Sequence, residues 1–175
     1  MLVGGKVVLR PLEREDLSLL AAWRNNPQAR PHFFNPYPIT ISGQDKWYDA
    51  YLARRDALVF IIQDKQDNRS LGSIGLDHID HLNQSAEYGR VLIVDADDRQ
   101  QGYALDASIA LLRYAFTELN LNRIYLEVFA DNEPAVRLYE RCHFQREGLK
   151  RQAIFAGGCF RDVLLMSILR PEFRP

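Results

Sequence analysis

Apolar residues recur along the chain at two spacings, one near two residues and one near about 3.6, and the alternation divides it into strands and helices. Residues 6–12, KVVLRPL, read as a short strand closed by Pro11. In 13–26, Leu17, Leu20, Ala21 and Arg24 fall at helical spacing behind an acidic first turn, so a helix is expected there. Four prolines follow within 27–38, and a compact domain seldom keeps a long irregular segment without a use for it. Residues 43–55 carry a second amphipathic helical pattern.

From residue 57 the short period takes over. Strands are expected over 57–64, 71–79 and 85–95, the middle of the last apolar enough to be buried on both faces. Residues 102–119 form the strongest helical pattern, with Leu105, Ile109, Leu112 and Phe116 marking its buried stripe. A strand at 122–129 leads to a helix at 131–144, where Asn132 suits the cap and Pro134 is tolerated in the first turn. The tail reads as two strands around the turn Ala156-Gly157-Gly158. No repeat, low-complexity tract or linker interrupts the pattern, so residues 1–175 are expected to form one mixed α/β domain.

Composition narrows the function classes. A chain of 175 residues can bury about 70% of the surface it exposes when unfolded. The formal net charge is -1, which argues against a protein built around a nucleic-acid backbone. Cys142 and Cys159 lack CxxC spacing and a zinc-type His pattern, so two free thiols and no metal site are expected. Neither a signal peptide nor an apolar membrane span is visible, and the expected location is cytoplasmic.

The candidate chemistry begins at 97–116, DDRQQGYALDASIALLRYAF. A helix entered at Gly102 presents backbone N–H groups without partners and the positive end of its dipole, the usual setting for a phosphate. Gly102 permits close backbone approach, Ala104 keeps the floor open, and Arg99 adds a charge. Asp95, Asp97 and Asp98 would oppose an anion unless they point away, and a plain strand-to-helix turn remains an alternative. A P-loop nucleotide site is excluded, because no GKS or GKT follows the glycine.

RQQGYA at 99–104, followed by Asn132, Ala135, Tyr139 and Phe144 in DNEPAVRLYERCHF, resembles the GNAT superfamily of N-acetyltransferases. LRPLEREDL, WRNNP and GLKRQAIFAGGCFRDVLLMSIL resemble its RimJ/RimL branch, extending the likeness over nearly the whole chain. Departures are Ala96 and Gln100, where Pro and Gly are frequent, and His143, where Gly is frequent and a left-handed cap is needed. The resemblance implies a twisted, mostly antiparallel mixed sheet of about seven strands flanked by about four helices. It implies acetyl-coenzyme A as donor, with the pyrophosphate on Arg99, Gln100, Gln101, Gly102, Tyr103 and Ala104. The pantetheine arm would pair with Leu92, Ile93 and Val94, with Asn132, Ala135 and Arg141 as further cofactor contacts. Tyr139, seven places after Asn132 and so on nearly the same helix face, would be the general acid. Glu87 is the first choice as base, ahead of Asp77, His78 and His81.

In this family the acceptor site is built by the segment between the first strand and second helix, plus the final hairpin. That points to Trp23, Arg24, Phe33 and Tyr37, with Arg24 or Arg30 near any phosphates. The branch likeness favours a nucleotide-linked amino sugar as acceptor, with a protein N-terminus, a polyamine or another small amine as alternatives. Polyamine enzymes would be expected to line the pocket with carboxylates, and 27–42 contains none. A non-catalytic acetyl-coenzyme A sensor stays open as another class, and many family members are dimers.

Overall fold

The computed structural model describes residues 1–174. Its strands are β1 (Leu2–Val3), β2 (Val7–Pro11), β3 (Leu58–Asp64), β4 (Ser70–Asp80), β5 (Ser85–Ile93), β6 (Arg123–Phe129), β7 (Gln145–Ala156) and β8 (Cys159–Leu169). The helices are α1 (Leu17–Asn25), α2 (Ile41–Leu52), α3 (Tyr103–Thr117) and α4 (Glu133–Arg141). All eight strands join one sheet in the order β1-β2-β3-β4-β5-β6-β8-β7, where only β5 and β6 run parallel. A parallel pair needs a crossover, and α3 supplies it. One core cluster centres on α3 with Val136 and Phe144, and a second joins Leu17, Leu20 and Trp23 of α1 to Tyr48 of α2.

The helix ends follow from local chemistry. Thr40 caps α2 by accepting from the Gly43 N–H at 3.0 Å, so the helix begins at Ile41, two residues before the expected start. Asn132 caps α4, and His143 takes the left-handed conformation (φ 69°) that the sequence requires after that helix. Gly157 and Gly158 both have positive φ, the condition for a two-residue hairpin turn between β7 and β8. Cys142 and Cys159 are free thiols, one buried and one exposed.

Three expectations are corrected. The buried stripe of α3 is Ala107, Ser108, Leu111, Leu112, Ala115 and Phe116, while Leu105 and Ile109 are half-buried. Leu105 instead lines a cleft, so its apolar character serves the site as well as the core. It is β4 that is buried on both faces, from Leu71 to Leu76, whereas Val91 and Leu92 of β5 are half-buried beside that cleft. The eighth strand, β1, was hidden by its shortness.

β1 pairs with β2, and a contact across the chain fixes the turn between them. The Asp106 carboxylate on α3 accepts the backbone N–H groups of Gly5 (2.9 Å), Lys6 (2.7 Å) and Val7 (3.0 Å). Charge-assisted bonds of this kind contribute more than neutral ones. Asp106→Ala is therefore expected to lower unfolding free energy by about 2–3 kcal/mol in urea denaturation, with Asp106→Asn losing less. Stability within about 0.5 kcal/mol of the parent for Asp106→Ala would contradict this account.

Candidate active site

The site originates in a backbone separation. β5 and β6 pair only at Ser85–Arg123, Ala86–Ile124 and Glu87–Tyr125, after which β5 keeps β4 and β6 keeps β8. A bulge in β5 sharpens the parting. Between the pairs Gly75–Gly89 and Ser73–Leu92, β5 spends one residue more than β4, and Arg90 takes φ 59°. The Ser73 hydroxyl donates to the Arg90 carbonyl at 2.8 Å and steadies the bulge. Gly72 lets the two strands close again at their far end, since a β-carbon there would meet the Leu92 carbonyl oxygen at 1.7 Å. The opening widens into a cleft of about 1090 Å³.

One end of the cleft is the turn into α3. Gln100 (φ 69°) and Gly102 (φ 86°) are both left-handed, which leads the chain into the helix with Gly102 as its cap. Arg99, Gln100, Gly102 and Ala104 line the cleft. Two of the three flanking acids meet Arg69: Asp98 is held by both its terminal nitrogens, at 2.6 and 2.9 Å, and Asp95 lies 3.6 Å from the same guanidinium, while Asp97 is exposed. Nothing in the local sequence announces Arg69, which arrives from the turn before β4. The Arg99 guanidinium donates to the carbonyls of Ile93 (3.2 Å) and Val94 (2.9 Å), bracing the end of β5 against the turn. Its charge is thus partly engaged by backbone instead of standing free for an anion.

Three expected cofactor residues point elsewhere. Gln101 donates to the Asp97 carbonyl at 3.3 Å, and the Tyr103 hydroxyl donates to Asp64 of β3 at 2.7 Å. Val94 packs against the α1/α2 core. Leu92, Ile93, Asn132, Ala135 and Arg141 do line the cleft, and Leu138 joins them one helical turn from Ala135.

Tyr139 stands on the same wall, edge-on to Tyr88 with ring centroids 5.9 Å apart. Burial, and then the neighbouring Cys142 thiol, push its phenol well above the ordinary tyrosine range. The Tyr88 hydroxyl meets Ser108 at 2.6 Å, and Ser108 donates to the Ala104 carbonyl at 2.6 Å, linking β5 to the first turn of α3. Glu87 lines the cleft and meets the His78 imidazole at 2.9 Å. Asp77 is held by Arg90 (2.7 Å) and Arg54 (3.2 Å), and His81 is not part of the lining.

At the opposite end, His32, Phe33, Phe34 and Asn35 close the cleft together with Arg24. Arg24 sits 4.6 Å from the Phe33 ring centre. Trp23 is corrected to a core residue, 6% exposed beneath α1, because position 23 lies on the helix face turned towards β3. Tyr37 is 76% exposed and outside the lining of the cleft, and Arg30 donates to the Pro36 carbonyl at 2.6 Å. The final hairpin contributes no described side chain to the cleft. It acts through Arg161, which pairs with Asp131, donates to the Pro31 carbonyl at 3.0 Å and covers the Phe129 ring. Among the described residues no helix is long and apolar enough to cross a membrane.

The family model of the Acetyltransferase (GNAT) domain matches residues 6–145. Spermidine N(1)-acetyltransferase of Vibrio cholerae is 30% identical over 171 residues, covering 98% of this chain and 97% of that protein. The Escherichia coli protein of the same name is 30% identical over 168 residues, covering 95% and 88%. The crystal structure of the Vibrio cholerae enzyme in complex with CoA and spermine superposes with a TM-score of 0.87 at 31% identity, covering 95% of this chain and 97% of that one. These likenesses extend to the superfamily and to spermidine enzymes within it, and do not single out the RimJ/RimL branch. A family match over most of the chain, with relatives alike from end to end and a cleft at the expected parting of the sheet, places this chain in the GNAT superfamily as an N-acetyltransferase that draws its acetyl group from acetyl-coenzyme A.

Proposed function

We propose that the protein acetylates a small primary amine by direct attack within a ternary complex. The observation that carries this reading is the opening between β5 and β6, with Tyr139 on one wall and Glu87 at its closed end. When bound, acetyl-coenzyme A supplies a thioester carbonyl open to an amine. Past Glu87, β5 has no strand partner on the side of β6, and this edge around Leu92 and Ile93 receives an extended pantetheine arm as an added strand would, although Arg99 already holds the Ile93 carbonyl. The left-handed turn at Gln100 and Gly102 aims the free N–H groups of α3 at the pyrophosphate. Asn132 and Arg141 bind further along the same wall.

Glu87 receives the proton of the incoming ammonium, directly or through water, and His78 holds its carboxylate in place. Tyr139, protonated at neutral pH as any tyrosine is, donates its phenolic proton to the departing thiolate.

The relatives' names favour a polyamine acceptor over the amino sugar expected from the sequence. The carboxylates a polycation would meet are on the strands: Asp77, Glu87 and Glu127, all in the cleft. The amino-sugar reading keeps one support, the Arg24–Phe33 pair at the acceptor end. Self-association is part of the proposal, since a related Vibrio cholerae enzyme forms a dodecamer and the edge strand β7 is exposed along most of its length.

Two variants test the assignment. Tyr139→Phe should lower kcat about a hundredfold, followed as thiol release, while coenzyme A affinity stays within about twofold; an unaltered rate removes Tyr139 as the acid. Gly102→Val places a β-branched residue at φ 86° and should weaken coenzyme A binding by about tenfold or more in calorimetry. Unchanged affinity would mean that the turn is not the pyrophosphate site.

A further inference from the structure

Beside the cleft, on the α1/α2 face of the sheet, lies a second cavity of about 420 Å³. It shares Arg24, Phe33, Asn35, Arg90 and Leu92 with the cleft, so the two communicate at the acceptor end. Two guanidinium groups line it, and no Asp or Glu does. Arg90 is partly neutralised, through its Nε, by Asp77 at 2.7 Å. Arg24 is not: its Nε is buried without a hydrogen-bond partner, the one such side-chain atom among the described residues. A buried donor left unmatched costs about 1–3 kcal/mol, more when it carries charge.

The surroundings add to the imbalance. Phe33 faces the Arg24 guanidinium, and the Trp47 ring centre lies 5.2 Å from that of Arg90. Aromatic faces shield these cations but cannot satisfy their N–H groups. Thr40 and Gly43, from the first turn of the twelve-residue helix α2, form part of the wall and bring the positive end of its dipole. Burial, and then the charge of Arg90, disfavour the protonated form of Arg24. A polycation has nothing to bind here.

We propose that this cavity takes an anionic group, a phosphate or carboxylate, between Arg24 and Arg90. The group is either the anionic end of the acceptor amine or a separate small ion. The first source rests on the acetyltransferase reading above, and the site itself does not.

The test uses the full chain saturated with coenzyme A, so that the turn into α3 is filled and cannot report on added phosphate. Uptake of coenzyme A is measured first; its failure counts against the proposed function alone, and the titration is then read on the free protein. Inorganic phosphate is titrated by calorimetry at constant ionic strength. Saturable uptake is expected, weakened about tenfold or more in Arg24→Met. Gln44→Glu brings a carboxylate to the same wall and should abolish uptake, which gives a second reading if Arg24→Met does not fold. Turnover of γ-aminobutyrate and phosphoethanolamine against diaminobutane separates the sources. If the acceptor carries the anion, Arg24→Met raises KM for the anionic amines by a larger factor than for diaminobutane. If the ion is separate, diaminobutane is turned over while phosphate stays bound. No uptake by the parent protein, or equal uptake by both variants, overturns the proposal.

Discussion

Two parallel strands that stop pairing after three residues leave backbone donors and acceptors without partners, and most of this protein's working parts follow from that parting of β5 and β6. Backbone polar groups in a sheet interior demand partners, so an opening of this kind persists only where its edges reach solvent or a ligand. The bulge at Arg90 and the Ser73 bond hold one side of the opening, and the continuous β6–β8 ladder holds the other. Glu87 stands on β5 and Tyr139 on α4, so both groups proposed for the chemistry sit on regular elements, and the proposed acceptor end is left to the loop residues His32, Phe33, Phe34 and Asn35.

Charge is distributed along the cleft in a consistent way. At the α3 end, Arg69 holds Asp98 and lies beside Asp95, which offsets two of the three acids before the turn. In the middle, Glu87 sits with the His78 imidazole, Asp77 with Arg90, and Glu127 with Lys150. Beyond them the balance reverses, and half-buried Arg24 keeps a buried Nε without a hydrogen-bond partner. The acids in the middle suit an ammonium group, whereas the arginines beyond suit whatever the rest of the acceptor carries. A carboxylate-free 27–42 segment and a cavity lined by two arginines express the same property at two levels.

The elements were legible in the chain because helical and strand periods alternate cleanly, and because Thr40, Asn132 and the Gly157-Gly158 pair mark their own turns. The motif residues Gly102, Asn132 and Tyr139 were legible through the resemblance to the GNAT superfamily, not through periodicity. What escaped was non-local. Asp106 looks like an ordinary surface acid of a helix, yet it anchors the turn between β1 and β2 from about a hundred residues away. Arg69 and the bulge at Arg90 depend on which strands become neighbours, which periodicity does not encode. Trp23 and Tyr37 were drawn to the acceptor site by aromatic composition, and helix phase and exposure send them elsewhere. Tyr103 and Gln101 lie inside a motif whose backbone matters more than those two side chains.

The most direct test of the central claim is amide hydrogen exchange with and without coenzyme A, read residue by residue. If the open edge of β5 receives the pantetheine arm, protection should rise among Gly89–Ile93 and across Gly102–Ala104, with the β6–β8 ladder unchanged. Binding that protects the turn into α3 but leaves β5 exchanging as in the free protein would contradict the account.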